Sequence, residues 1–270
     1  MRVIIEDMAS RLATVPGVVG VLLGGSRARG EHQPDSDWDL GVYYRGRLDL
    51  GALGALAGPG IEVAGPGGWG PWVNGGAWLR VEGVAVDWIL RDLDRVEQVW
   101  ADCCEGQYEV GMQVGHPLGF WSPCYAGELA LGQILADPTR ELREIQQRTA
   151  AYPERLREAL MAGAWEAPFL VQAAAKGAPR GDTLYVYLCL SRAIGVLVQA
   201  VFASDRRWCL NEKGALAAAE RLPGAPADFG VRARDLLSAP GGTAELLAAA
   251  VTKAQVLAEE TIAGLNGSAN

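Results

Sequence analysis

The chain has 270 residues, half of them hydrophobic, which suffices for one large buried core or two smaller ones. Its formal net charge is −8, whereas a protein that wraps a nucleic-acid backbone shows a basic footprint, so no nucleic-acid partner is expected. The five cysteines (Cys103, Cys104, Cys124, Cys189 and Cys209) include no C-x-x-C, and the number is odd. That usage points to a reduced cytoplasm, with cysteines serving packing. His32 and His116 alone cannot make a zinc constellation.

The N-terminal MRVIIEDMASRL carries acids inside its apolar run, so it reads as a surface helix over 4–14 rather than a leader. GVVGVLLG (17–24) reads as a buried strand, GGSRARG as a turn opening a short helix, and DWDLGVYY (37–44) as a second strand. A helix is expected at 48–57 and a Gly/Pro-rich loop at 64–76. AWLRV and VAVDWIL flank Glu82-Gly83, which predicts a hairpin, with helix returning at 92–102. After about residue 138 strand signals vanish. Helical composition then recurs at 139–149, 152–163, 165–176, 182–203, 211–221, 228–238 and 243–264, and the tail NGSAN reads as frayed. Leu184–Phe202 is the most apolar stretch, yet Ser191, Arg192 and Gln199 interrupt it, so a buried helix is expected and no membrane span. The predicted fold class is α+β, with a small mixed-sheet domain over 1–138 and an all-α bundle over 139–265.

The chemistry concentrates at Gly24-Gly25-Ser26-Arg27-Ala28-Arg29-Gly30 and Ser36-Asp37-Trp38-Asp39-Leu40. Asp37 and Asp39 are two apart at a strand start, so their carboxylates share a face and repel each other unless a cation lies between them. Hard oxygen donors select Mg²⁺ or Mn²⁺. Gly25 and Ser26 follow a strand and open a turn, where backbone N–H groups can meet phosphate, and Arg27 could add charge-assisted bonds. Arg29 reads equally well as solvated surface. Asp87 sits between apolar Val86 and Trp88, where a charge needs a reason. Glu128 is the next candidate for a proton acceptor. Trp69, Trp72 and Trp78 crowd the Gly-rich loop and suit either stacking on a ring or pinning the loop.

GGSRARGEHQPDSDWDLGVYY resembles the signature of the DNA polymerase β-like nucleotidyltransferase superfamily: an apolar strand, Gly-Gly-Ser, a spacer, then acid-x-acid on the next strand. The resemblance implies that Asp37, Asp39 and Asp87 hold two Mg²⁺ ions, and that Asp87 serves as the third carboxylate. The helical half is similar to that of streptomycin/spectinomycin-type aminoglycoside adenylyltransferases. LCLSR (188–192), NEKGA (211–215) and AERLP (219–223) run in the same order, although the spacing from Arg192 to Lys213 is longer here. That similarity implies ATP as co-substrate, Lys213 on its phosphates, and a small hydroxyl-bearing, antibiotic-like acceptor held between the domains. Arg192 itself is read as pairing with an acid. Three other readings stay open: the same transfer onto a protein or RNA, as in toxin-like nucleotidyltransferases, a non-catalytic nucleotide sensor, and a helical half that serves mainly oligomerisation.

Overall fold

The computed structural model describes residues 1–238 and 241–267. Two compact units divide the chain. The first comprises Met1–Asp102 with Tyr108–Ala151, and the second comprises Cys103–Gln107 with the described residues from Tyr152 onward.

The first unit is built on a five-stranded mixed sheet in the order β3-β4-β2-β1-β7. Its strands are β1 (Val18–Leu23), β2 (Trp38–Tyr44), β3 (Gly76–Val81), β4 (Val84–Asp92) and β7 (Gln133–Ala136). β2 and β4 are parallel, and the other pairings are antiparallel. The predicted hairpin is β3–β4, closed by Glu82 (φ 51°) and Gly83 (φ 81°) in the left-handed conformation that a tight two-residue turn requires. Alternation sorts the strands into two faces. Trp38, Leu40 and Val42 of β2 and Val86, Trp88 and Leu90 of β4 point into a core shared with Ile5, Ala9 and Leu12 of α1 (Arg2–Leu12) and Leu53 of α3 (Leu50–Ala57). Asp39, Gly41 and Tyr43 lie on the opposite face with Asp87, Ile89 and Arg91. Near the C-terminal ends of β2 and β4, this face meets α5 (Cys124–Leu131): the buried Arg91 is held by both carboxylate oxygens of Glu128 at 2.7 Å.

Between α4 (Leu93–Cys104) and α5 lies a second, two-stranded sheet, β5 (Val110–Gln113) and β6 (His116–Trp121). The first unit runs on past residue 138, the expected boundary, and includes α6 (Glu141–Thr149). Two contacts explain why. Arg45, just beyond β2, donates to Glu97 of α4 at 2.7 Å and to Glu141 of α6 at 2.6 Å. Leu142 packs on Gly20 so closely that a Cβ there would stand 2.6 Å from Leu142 Cδ1.

The second unit is helical: α7 (Glu154–Gly163), α8 (Glu166–Gly177), α9 (Thr183–Ser204), α10 (Ala215–Ala219), α11 (Phe229–Ser238) and α12 (Ala244–Gly267). Asp182 caps α9 by accepting from the Tyr185 N–H at 3.2 Å. α9 is long and apolar enough to cross a bilayer, but 61% of its most apolar window is buried, as befits the core helix of a bundle. Of the NGSAN tail, Asn266 and Gly267 end α12, and residues 268–270 lie outside the described residues.

Candidate active site

β1 ends at Leu23 and the chain turns through Gly24 into α2 (Gly25–Arg29). Gly25 has φ +62°, and a Cβ built on it would fall 1.8 Å from Asp39 Oδ2. Any side chain there would have to displace the Asp39 carboxylate. The missing side chain lets the Asp39 carboxylate sit directly against the opening of α2, whose first N–H groups have no partner within the helix. The Gly24 N–H donates to the Asp39 carbonyl at 2.8 Å and fixes that approach. Gly30 closes the helix with φ +72°.

The parallel ladder pairs Asp39 of β2 directly with Asp87 of β4. Paired residues on adjacent strands stand side by side, so these acids are neighbours although 48 positions apart in sequence (87 − 39). Asp37 precedes β2 and is exposed. The Asp87 carboxyl is pushed up from 3.8 to about 6, first by burial, then by the negative charges of Asp39 and Asp37. The three acids therefore feel one another, and the site is poised to gain from a positive charge.

Among the described residues no three acid, histidine or cysteine side chains close into a ready-made metal shell. The donor set nevertheless fits Mg²⁺, which binds through one or two carboxylates and takes its remaining oxygens from substrate phosphates and water. Asp39 and Asp87 with Asp37 beside them are hard oxygen donors whose repulsion a cation would relieve.

Arg27 is engaged differently from what its place beside the glycines predicts. Its Nε donates to the carbonyls of Ser36 (3.0 Å) and Asp37 (3.1 Å), one terminal nitrogen donates to Ser36 O (2.6 Å) and Pro34 O (3.3 Å), and the guanidinium lies 4.5 Å over the Trp38 ring. These donors are turned to the loop that presents Asp37 rather than to a phosphate. Arg29 pairs with Glu31 at 2.9 Å on the surface. Glu128 is tied to the buried Arg91, so it cannot readily take a proton from a substrate. Lys213 is exposed and lies in the second unit, between α9 and α10, where its N–H donates to Asn211 Oδ1 at 2.9 Å. Arg192 pairs with Glu166 at 2.8 Å.

Trp78, which pattern reading left between two roles, pairs with Asp87 in the β3–β4 register. Gln113 holds the loop behind it. Its Oε1 accepts from the N–H groups of Trp72 and Val73, both at 3.1 Å, and its Nε2 donates to Trp69 O at 2.6 Å. Sequence reasoning missed Gln113 because nothing marks one Gln in a short strand as a loop anchor.

The first unit thus presents a glycine turn packed on one carboxylate and a second carboxylate paired to it across the ladder. Residues 1–95 match the family model described as a nucleotidyltransferase domain. That match supports membership of the superfamily and nucleotidyl transfer as the general activity. Residues 127–213 match a domain of unknown function. No curated protein matches the chain. Among solved structures, a nucleotidyltransferase-like protein from Exiguobacterium sibiricum 255-15 aligns with 99% of this chain and 76% of its own, at 11% identity and a TM-score of 0.47. A likeness that loose carries no argument about function.

Proposed function

We propose that the chain moves a nucleoside monophosphate, AMP from ATP, onto a hydroxyl of a small molecule and releases pyrophosphate. The observation that supports this best is the Asp39–Asp87 pairing with Gly25 packed against the Asp39 carboxylate, inside the segment that matches the nucleotidyltransferase family. In the reaction the acceptor oxygen bonds to the α-phosphorus, the bond from that phosphorus to the pyrophosphate oxygen breaks, and the hydroxyl proton leaves. Asp37 and Asp39 would hold Mg²⁺, which when bound neutralises triphosphate charge and makes the hydroxyl more acidic. Asp87 either completes that metal site or accepts the hydroxyl proton. The N–H groups of Gly25 and Ser26 bind phosphate oxygens. Lys213 contributes a point charge to the leaving phosphates. Catalysis is then chiefly positioning and charge neutralisation. An aminoglycoside-like acceptor and a cytoplasmic setting belong to the same proposal; the acceptor rests on the similarity of residues 184–223 described above and the setting on an odd cysteine count with no C-x-x-C.

The test is pyrophosphate release from ATP, GTP, CTP and UTP with Mg²⁺ and a panel of hydroxyl compounds, with mass spectrometry of the products. Transfer is expected with wild type and is expected to vanish in Asp39→Asn while the fold persists. Turnover by Asp39→Asn within a few fold of wild type in excess Mg²⁺ would remove the metal assignment.

A further inference from the structure

One face of the sheet carries a row of positions across β3, β4 and β2. Trp78 pairs with Asp87, and Asp87 pairs with Asp39. Beyond Asp39, Gly25, which opens α2 just past β1, packs against its carboxylate and completes the row. The order is therefore indole, carboxylate, carboxylate, glycine turn.

Trp78 is 66% exposed, an unusual placement for an indole in a strand. It is nevertheless held firmly. Trp69 stacks on it with ring centroids 4.3 Å apart and planes within 17°. Trp69 lies over Gly76 (φ +153°), where a Cβ would stand 2.7 Å from Trp69 Cζ3 and 1.8 Å from the Trp88 carbonyl oxygen. The loop is fixed in turn by Gln113, and by Asn74, which accepts from the Gly67 N–H at 3.0 Å and donates to the Tyr44 hydroxyl at 2.8 Å. An anchored indole therefore stands two-thirds in solvent next to the paired acids.

We infer that Trp78, backed by Trp69, is the platform on which the ring of the acceptor stacks, so that a hydroxyl borne on that ring reaches Asp87. This rests on the nucleotidyl-transfer reading. The row decides between acceptor and nucleobase. The leaving phosphates belong at the glycine turn, and in-line displacement brings the nucleophile from the opposite side of phosphorus. The acceptor thus arrives over β4 and β3, where Trp78 stands. Charge decides its chemistry. Three acids in the site and a net charge of −8 favour a neutral or cationic ring over a polyanion such as an RNA end.

Binding and turnover are measured separately on the full chain. Methyl α-glucoside, methyl α-glucosaminide and myo-inositol serve as ring probes, glucitol as the acyclic control, and ATP and a short RNA as rivals for the indole. Saturation-transfer NMR and calorimetry compare wild type, Trp78→Ala and Trp78→Phe. Loss of the indole exciton couplet in circular dichroism reports that the stack is gone, and unchanged melting temperatures report that the fold is not. At least one ring probe is expected to bind more tightly than glucitol. Its affinity should fall about ten-fold in Trp78→Ala, the scale of one stacking contact, and recover largely in Trp78→Phe, with ATP affinity equal in all three. Ring binding indifferent to Trp78, no ring binding at all, or a Trp78-dependent loss in ATP or RNA affinity would overturn the platform. Trp78-dependent ring binding without transfer from any nucleotide would leave the platform standing and remove the transferase reading.

Discussion

Asp87 carries the most consequential charge in the first unit. Its carboxyl titrates at about 6 in the folded chain against 3.8 ordinarily, because burial and two neighbouring acids oppose its ionisation. As pH rises through that window, the unfolded chain releases its proton first. The stability this group contributes is therefore full below about 3.8, falls as pH climbs, and is gone above about 6. Metal-free Asp87→Asn is accordingly expected to melt above wild type at neutral pH, with the gap closing toward pH 4; a gap that does not change with pH would refute the cause given. In the presence of Mg²⁺ the same variant should still bind nucleotide but lose ~10²-fold or more in kcat, the low end of general-base catalysis. Full activity would pass the role to another carboxylate, and Glu128, locked to Arg91, is poorly placed to take it. Asp37, Asp39 and Gly25 were legible as candidates because the motif that marks them is contiguous. Asp87 was legible through its apolar neighbours. The Trp78–Asp87–Asp39 row was not, since strand register is a long-range property.

At the scale of elements, α2 and the loop that follows it act as one part. Arg27 reaches back to three carbonyls of residues 34–37 and holds the segment that presents Asp37. Arg27→Ala is expected to raise the Mg²⁺ concentration needed for half-maximal activity several-fold, with little change in metal-free nucleotide affinity. If calorimetry without metal instead shows nucleotide binding lost, Arg27 contacts phosphate after all. Gly25→Ala should abolish activity outright, because its Cβ would collide with the Asp39 carboxylate in a backbone conformation that alanine also disfavours. Elements through α4 and from α6 onward followed their hydrophobic patterns. Residues 105–138 did not declare themselves, for identifiable reasons. β5 and β6 form an isolated pair whose Met112 is 89% exposed, with Val114 91% exposed at their turn, so the alternation fails. α5 is buried at Cys124, Tyr125, Ala126, Gly127 and Leu129 and shows no polar face, and β7 is a four-residue edge strand.

For the molecule as a whole, the acids lie in the first unit and Lys213 in the second. Lys213→Ala is expected to raise the nucleotide KM more than it lowers kcat at saturation, since a point charge on the phosphates acts in ground and transition states alike. Unchanged nucleotide affinity by calorimetry would make Lys213 solvated surface. α6 lies with the first unit, and its ties to Arg45 and Gly20 are tertiary contacts that composition does not show. The parallel pairing of β2 with β4 has a consequence for how such a protein can diverge. The spacing of Asp39 and Asp87 depends on ladder register alone, and one residue inserted within β4 ahead of Asp87 would turn it toward Trp38 and Leu40. The long crossover between the strands lies outside that ladder, and the part of it that bears Trp69 is held by other ties, to Gln113 and Asn74. Changes in that stretch that keep those ties would leave the register of the acids as it is. On the proposed reading, the loop that backs the acceptor's ring and the strands that carry the acids would then be free to change at different rates.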